Sequence, residues 1–186
     1  MHFQFELLAK VNTYTFNKEL LILDSMLGWL ARWCRLLGLD VSYSSNADDY
    51  ELITRDGLLI TRDQELYRSR RKETILLLTD NHDHWLLVLA KLLKIELSID
   101  FSKTKCTLCG GPLREVEPKL LTGKVPRKVL EKVDKLWICE SCGKIYWIGK
   151  HHVSINRKLS KCREMLRSVI TINADNQLYV IYTSII

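Results

Sequence analysis

The sequence lacks the features that would suit it to a membrane or to secretion. In 186 residues the longest strongly apolar stretch, Trp85 to Leu93, is broken by Lys91. It is far shorter than the ~20 apolar residues that cross a bilayer. The opening Met-His-Phe-Gln-Phe-Glu has no basic segment followed by an apolar run, so no secretory leader is predicted and the expected location is cytoplasmic. There is no disulfide framework, because four of the six cysteines form two Cys-x-x-Cys pairs without a secretory context. Proline is scarce, and its three residues (Pro112, Pro118, Pro126) all fall between those pairs. What remains is ordinary for a globular chain, with 47% apolar and 27% charged residues. The length allows one sizeable domain, or a domain with a small appendage.

The net charge of +6 conceals an asymmetry. Residues 1–102 carry 12 Lys and Arg against 15 Asp and Glu, a balance of −3; residues 103–168 carry 16 against 6, a balance of +10. A positive field over a small module favours polyanions, nucleic acid foremost, although lysines also serve plain solubility.

The paired cysteines read as Cys106-Thr-Leu-Cys109-Gly110-Gly111 and Cys139-Glu-Ser-Cys142-Gly143-Lys144. Two-residue spacing lets both thiolates of a tight turn face one ion, and the trailing glycine takes the positive φ that aims N–H groups at the sulfurs. Two such knuckles close a tetrahedral zinc site with no open position, which suits structure rather than catalysis. The 29 residues between the pairs exceed the usual ~15–20, so an excursion between two hairpins is expected. A redox role for the pairs is the alternative. His151 and His152 stand as possible extra ligands, Cys34 reads as buried core, and Cys162 receives no role.

Between residues 20 and 101 short aliphatic runs alternate with helical patterns. Strands are predicted at Leu20–Leu23, Val41–Ser44, Leu58–Thr61, Thr74–Thr79 and Glu96–Phe101. Helices are predicted at Met26–Leu37, Asp49–Ile53 and Gln64–Lys72, and through Leu93 from an Asn81 cap. This order implies a parallel, three-layer α/β sheet. Ligands of such sheets bind beyond the carboxyl ends of the strands. Asp24 follows the first strand, Asp48 and Asp49 open the helix after the second, and Asp63 follows the third with Glu65 close behind. Carboxylates gathered there repel one another unless cations hold them, and magnesium or manganese prefers such oxygens. Such ions activate water in phosphodiester cleavage. Helix capping is the competing explanation for each acid taken singly.

Three of these stretches resemble a known family. Leu23-Asp24-Ser25-Met26-Leu27-Gly28-Trp29-Leu30-Ala31-Arg32-Trp33-Cys34-Arg35-Leu36-Leu37-Gly38 is similar to the opening motif of the PIN-like RNase domain named after the C-terminus of the Mut-seven exonuclease. Ala47-Asp48-Asp49-Tyr50-Glu51-Leu52 resembles its second acidic motif and Leu59-Ile60-Thr61-Arg62-Asp63-Gln64-Glu65-Leu66 its third. That family also ends in a four-cysteine zinc ribbon, matched by the two pairs and by Gly143-Lys144-Ile145-Tyr146-Trp147. The resemblance covers about residues 20–152. It implies a PIN-like three-layer parallel sheet domain over 20–102 followed by a small zinc ribbon over 103–152; an extension (1–19) and a basic helix and tail (153–186) lie outside it. It further implies metal-binding acids at Asp24, Asp49 and Asp63, with Glu65 a fourth and Asp48 a substitute for Asp49. The link Leu52-Ile53-Thr54-Arg55-Asp56-Gly57 departs from the pattern by about one helical turn.

The expected function is therefore a metal-dependent ribonuclease, with structural zinc and catalytic magnesium or manganese. Arg32, Arg35 and Arg62 lie near the acids as candidate phosphate contacts, although arginines on helices are commonly solvated. Lys124, Arg127, Lys128, Lys132 and Lys135 are candidate RNA grips, with Trp137 and Trp147 as stacking surfaces or packing. The alternatives are a non-catalytic RNA-binding or ribosome-associated module and a zinc-ribbon DNA binder. Outside the resemblance, Phe3-Gln4-Phe5 is expected to add an edge strand, His151–Arg167 a basic helix, and Val169–Ile186 a hairpin turning at Ala174-Asp175-Asn176. The sequence does not indicate the oligomeric state.

Overall fold

The structure, a computed structural model, describes residues 3–12, 20–70 and 72–185. The chain runs β1 (Phe3–Val11), β2 (Leu21–Leu23), α1 (Gly28–Leu36), β3 (Val41–Tyr43), α2 (Asp49–Thr54), β4 (Leu58–Thr61), α3 (Gln64–Ser69), β5 (Thr74–Leu77) and α4 (His82–Leu93). There follow β6 (Leu113–Val116), α5 (Arg127–Leu130), β7 (Leu136–Cys139), β8 (Ile145–Trp147), α6 (Lys150–Leu166), β9 (Val169–Ala174) and β10 (Gln177–Ile185).

Seven strands form one sheet in the order β3-β2-β4-β5-β1-β10-β9, and the first four are parallel. Alternation along the aliphatic strands creates the three layers. Leu21, Leu23, Leu58 and Ile60 bury against α1 and α4, whereas Ile22 and Leu59 point the other way, onto Leu52 of α2 and Leu66 of α3. Helix α6 lies against α4 and buries Leu159 and Cys162. Burial raises the thiol of Cys162 to about 11 and that of Cys34 to about 12, so both are inert core groups.

Two expectations fail. Glu96–Phe101 is not a strand. Helix α4 ends on Lys94 in the left-handed region, Leu97 buries into the core, and Asp100 collects N–H bonds from Ser102, Lys103 and Thr104, turning the chain toward α1. The place beside β5 belongs to β1, with Ala9 opposite Leu77. Consequently β1 is an interior strand, not an edge, because β10 pairs along its other side. The terminal hairpin forms with Asp175 and Asn176 both at positive φ, as a tight two-residue turn requires; Ile186 lies outside the described residues. Helix α3 stops at Ser69 because Arg70 turns extended, and the expected extension toward Lys72 includes Arg71, which is also outside them.

Strands β6, β7 and β8 form a separate three-stranded antiparallel sheet carrying the cysteines. The excursion between the cysteine pairs contains α5, and Val116, Leu121, Val125 and Leu136 give it a small apolar core of its own. Among the described residues no helix is long and apolar enough to cross a membrane.

Candidate functional site

Each cysteine pair sits in a knuckle closed by a glycine at positive φ, Gly110 at 81° and Gly143 at 72°. The four sulfurs converge, with Cys106 Sγ 3.6 Å from Cys142 Sγ, Cys109 Sγ 3.5 Å from Cys139 Sγ, and all four within 4.8 Å. A tetrahedral ion with sulfur bonds of ~2.3 Å separates its ligands by about 3.8 Å, so the arrangement fits one metal ion. Burial opposes ionisation of Cys106, but the Tyr146 hydroxyl and N–H groups of the knuckle outweigh it and bring the thiol to about 6. At Cys142 the Lys144 N–H favours the thiolate, yet burial and the other three sulfurs push it up to about 12. Four thiolates this close need a cation to coexist. Among the described residues no other group of three or more His, Cys, Asp or Glu is so close, and neither His151 nor His152 joins it. His152 instead stacks on Phe101, which stacks on Trp137 at 4.2 Å, so Trp137 serves packing.

The first knuckle is seated on the α/β body by Arg35. This side chain is 7% exposed, and its Nη1 donates to the carbonyl oxygens of Leu108 (3.0 Å) and Thr107 (3.4 Å). It is thus a joint between α1 and the ribbon, while Arg32 three residues earlier stays exposed.

The acids lie at the carboxyl ends of three adjacent parallel strands. Asp24 follows β2, Asp63 follows its neighbour β4, and Asp48 and Asp49 come from the loop after β3 on the other side. Asp48 and Asp63 act as helix caps: Asp48 Oδ1 accepts from Glu51 N at 2.7 Å, and Asp63 Oδ1 accepts from Glu65 N and Leu66 N at 2.6 and 3.1 Å. Asp24 differs. It occupies an N-cap position and is 5% exposed, yet its side chain makes no capping bond. Its Oδ2 accepts from Thr61 Oγ1 at 2.7 Å and its Oδ1 from Ser25 Oγ at 3.1 Å. Thr61 Oγ1 in turn accepts from Asp63 N at 2.9 Å, so one hydroxyl ties the two acidic loops together. Asp49 and Glu65 are exposed, and neither carboxylate has a hydrogen-bond or ion-pair partner among the described residues.

The abrupt link after α2 is held by Arg70, 2% exposed, which donates to the carbonyls of Leu52, Ile53 (3.1 Å) and Gly57 (2.7 Å). Arg62 pairs with Asp80 and lies 5.7 Å over the Trp85 ring. In the ribbon, Arg127 pairs with Glu131 and Lys135 with Glu115, whereas Lys124, Lys128 and Lys132 are exposed without an ion-pair partner among the described residues.

Sequence reasoning missed Thr61, Arg70, Asp80 and the Tyr146 hydroxyl, which lies 3.0 Å from Cys106 Sγ. Thr61 carried a signal, as the one hydroxyl ending an otherwise aliphatic strand. The partners of Arg70 lie 13 to 18 residues away, and no periodicity marks them.

The family model described as Mut7-C RNAse domain matches residues 19–159. No curated protein and no solved structure matches the chain.

Proposed function

The chain belongs to the Mut7-C RNAse domain family, matched over well more than half its length, and on that premise we propose that it is a metal-dependent ribonuclease. The observation that carries this reading is Asp24, a carboxylate held at the mouth of a parallel sheet without serving as a cap. A buried carboxylate that caps nothing and has no cationic partner is costly to keep unless it has a ligand. Thr61 fixes its orientation and binds it to the loop of Asp63, whose Oδ2 is left free by the capping role of Oδ1.

Asp24, Asp63 and Asp49 would hold one or two magnesium or manganese ions, with Asp48 or Glu65 able to contribute. The donor set is all carboxylate oxygen, the type such ions prefer, and because no three of these acids among the described residues bring their oxygens within 4.8 Å of one another, the ions they would hold are ones that keep several of their waters. When bound, such ions supply an activated water and stabilise the leaving oxygen. Arg70 fixes the link behind α2 and so the position of Asp49. Arg62, 5.7 Å over Trp85, would neutralise a phosphate beside Asp63 on release of its partner Asp80. Cys106, Cys109, Cys139 and Cys142 would hold zinc in a closed structural site. The exposed Lys124, Lys128 and Lys132 would grip RNA through its backbone charge, with Arg127 and Lys135 joining on release of their acidic partners.

The test offers labelled RNA to the zinc-loaded protein with manganese, with magnesium or with neither, beside Asp24→Asn and Asp63→Asn. Cleavage is expected only with added ion and in neither variant. Cleavage persisting in both variants would overturn the mechanism, and metal-independent binding without cleavage would make the chain an RNA-binding module.

A further inference from the structure

The zinc ribbon is seated so that three adjoining hollows with shared walls form a groove along the seam between α1, the first knuckle and α6. Its first section, about 380 Å³, is polar and is walled by Arg32, Ser44, Ser45 and Thr107. Ser44 and Ser45 belong to the same loop that delivers Asp48 and Asp49. Arg32 and Thr107 also wall a smaller section of about 190 Å³, where Trp33, Leu36 and Ile155 enter the walls. Leu36, Thr107 and Ile155 then lead into a third section of about 260 Å³, an apolar one closed by Tyr146, Trp147, His151 and His152. The groove thus changes from hydroxyls and a guanidinium, at the end that includes the loop carrying Asp48, to rings at its far end.

Trp147 at that end is unusual among the five tryptophans. Trp29, Trp33, Trp85 and Trp137 all pack against other rings, whereas Trp147 has no ring partner among the described residues and is 40% exposed. Its indole edge comes so close to Gly149 that a Cβ there would lie 3.1 Å from Nε1, so the lack of a side chain at 149 lets the ring lie as it does. Cations border the path: Arg32 is exposed at its start, and Lys144 sits 5.5 Å over the Tyr146 ring near its end.

We propose that this groove holds a single strand of RNA, with a phosphate against Arg32 and the two serines and an unstacked base in the far section against Trp147. Polar contacts to backbone and aromatic contacts to splayed bases are the signature of single-strand recognition, whereas paired RNA is read by the shape of its shallow groove. The base site lies in the ribbon and α6, two sections away from the carboxylates, so it selects and orients substrate without touching the reacting atoms. The inference rests on RNA as the substrate but not on its cleavage.

The experiment therefore measures binding of a single-stranded RNA oligonucleotide and of its duplex, without added divalent ion. The protein compared is the zinc-loaded full chain, with its Trp147→Ala and Arg32→Ala variants. Single strands should bind more tightly than duplex. Trp147→Ala should weaken the single strand about 5- to 100-fold, as loss of one stacked base does. Arg32→Ala should reduce the salt slope by about one. A 4-thiouridine oligonucleotide, photo-crosslinked to the unaltered protein, should attach at Trp147, His151 or His152. The proposal is overturned by equal affinity for duplex, by unaltered binding in both variants, or by crosslinks confined to residues 119–135. None of these outcomes depends on whether the carboxylates cleave.

Discussion

Thr61 is the residue on which the acidic loops meet. Its hydroxyl donates to one carboxylate and accepts from the next loop, and it is fully buried at the end of β4. Thr61→Val keeps the shape and removes both bonds. It should cost about 1–3 kcal/mol of stability, because Asp24 Oδ2 and Asp63 N lose their partner. Cleavage should slow more than stability falls, roughly 100-fold, since a carboxylate misplaced by a fraction of its own size no longer aligns its ion. Thermal melting and single-turnover rates measure the two effects, and a folded variant with an unchanged rate would show that Thr61 has no part in positioning. At this scale the acids were legible because strand ends and acidic residues coincide in the sequence. Which acid caps and which does not was illegible, because Asp24, Asp48 and Asp63 all precede helices and only coordinates separate them.

At the scale of elements, two charged side chains fix how helices sit. Arg70 reaches three carbonyls at the end of α2 and the link behind it, and burial lowers its pKa from the ordinary arginine value. Arg70→Met should orphan those carbonyls at a cost of about 3 kcal/mol, and amides of residues 49–57 should exchange faster than those of β2 and β4. Equal exchange in the variant would show that the link holds itself. Asp83 joins α4 to α6: burial disfavours its charged form, but Lys158 and Lys161 outweigh burial and hold its carboxyl below the usual carboxylate range. A depressed pKa means that the stabilisation is present above the ordinary carboxylate range and is lost as pH falls through the lowered value. Acid titration of melting temperature should therefore show a step below pH ~4 that is absent from Asp83→Asn. The elements themselves were mostly readable, since aliphatic runs of three to four residues and an Asn81 cap state strand and helix directly. Glu96–Phe101 misled because its alternation is that of a strand, while the place beside β5 was filled by β1, whose pairing of Ala9 with Leu77 and Val11 with Ile75 joins residues far apart in the chain.

For the whole molecule, the ribbon is both a separate sheet and a wall of the groove, tied to α1 through Arg35 and to the body by the run of chain from α4. Purified protein should contain one zinc per chain, and Cys139→Ser should lose it. Because ligand loss unfolds small zinc modules, the variant should keep the far-UV signal of the α/β sheet while its affinity for single-stranded RNA falls. Full RNA affinity without zinc would detach the ribbon from binding. The charge asymmetry predicted a basic binding module beside an acidic body, but not the groove between them, since its walls come from residues near 32, 107 and 150.

All of the chemistry assigned to the body requires Asp24, Asp63 and the β3–α2 loop to share a divalent ion. Manganese binding to the zinc-loaded chain, counted by electron paramagnetic resonance, reads this without any substrate. One or two bound ions are predicted, with at least a tenfold loss of affinity in both Asp24→Asn and Asp63→Asn. Manganese bound equally well by the unaltered chain and by both variants, or by none of them, would contradict it.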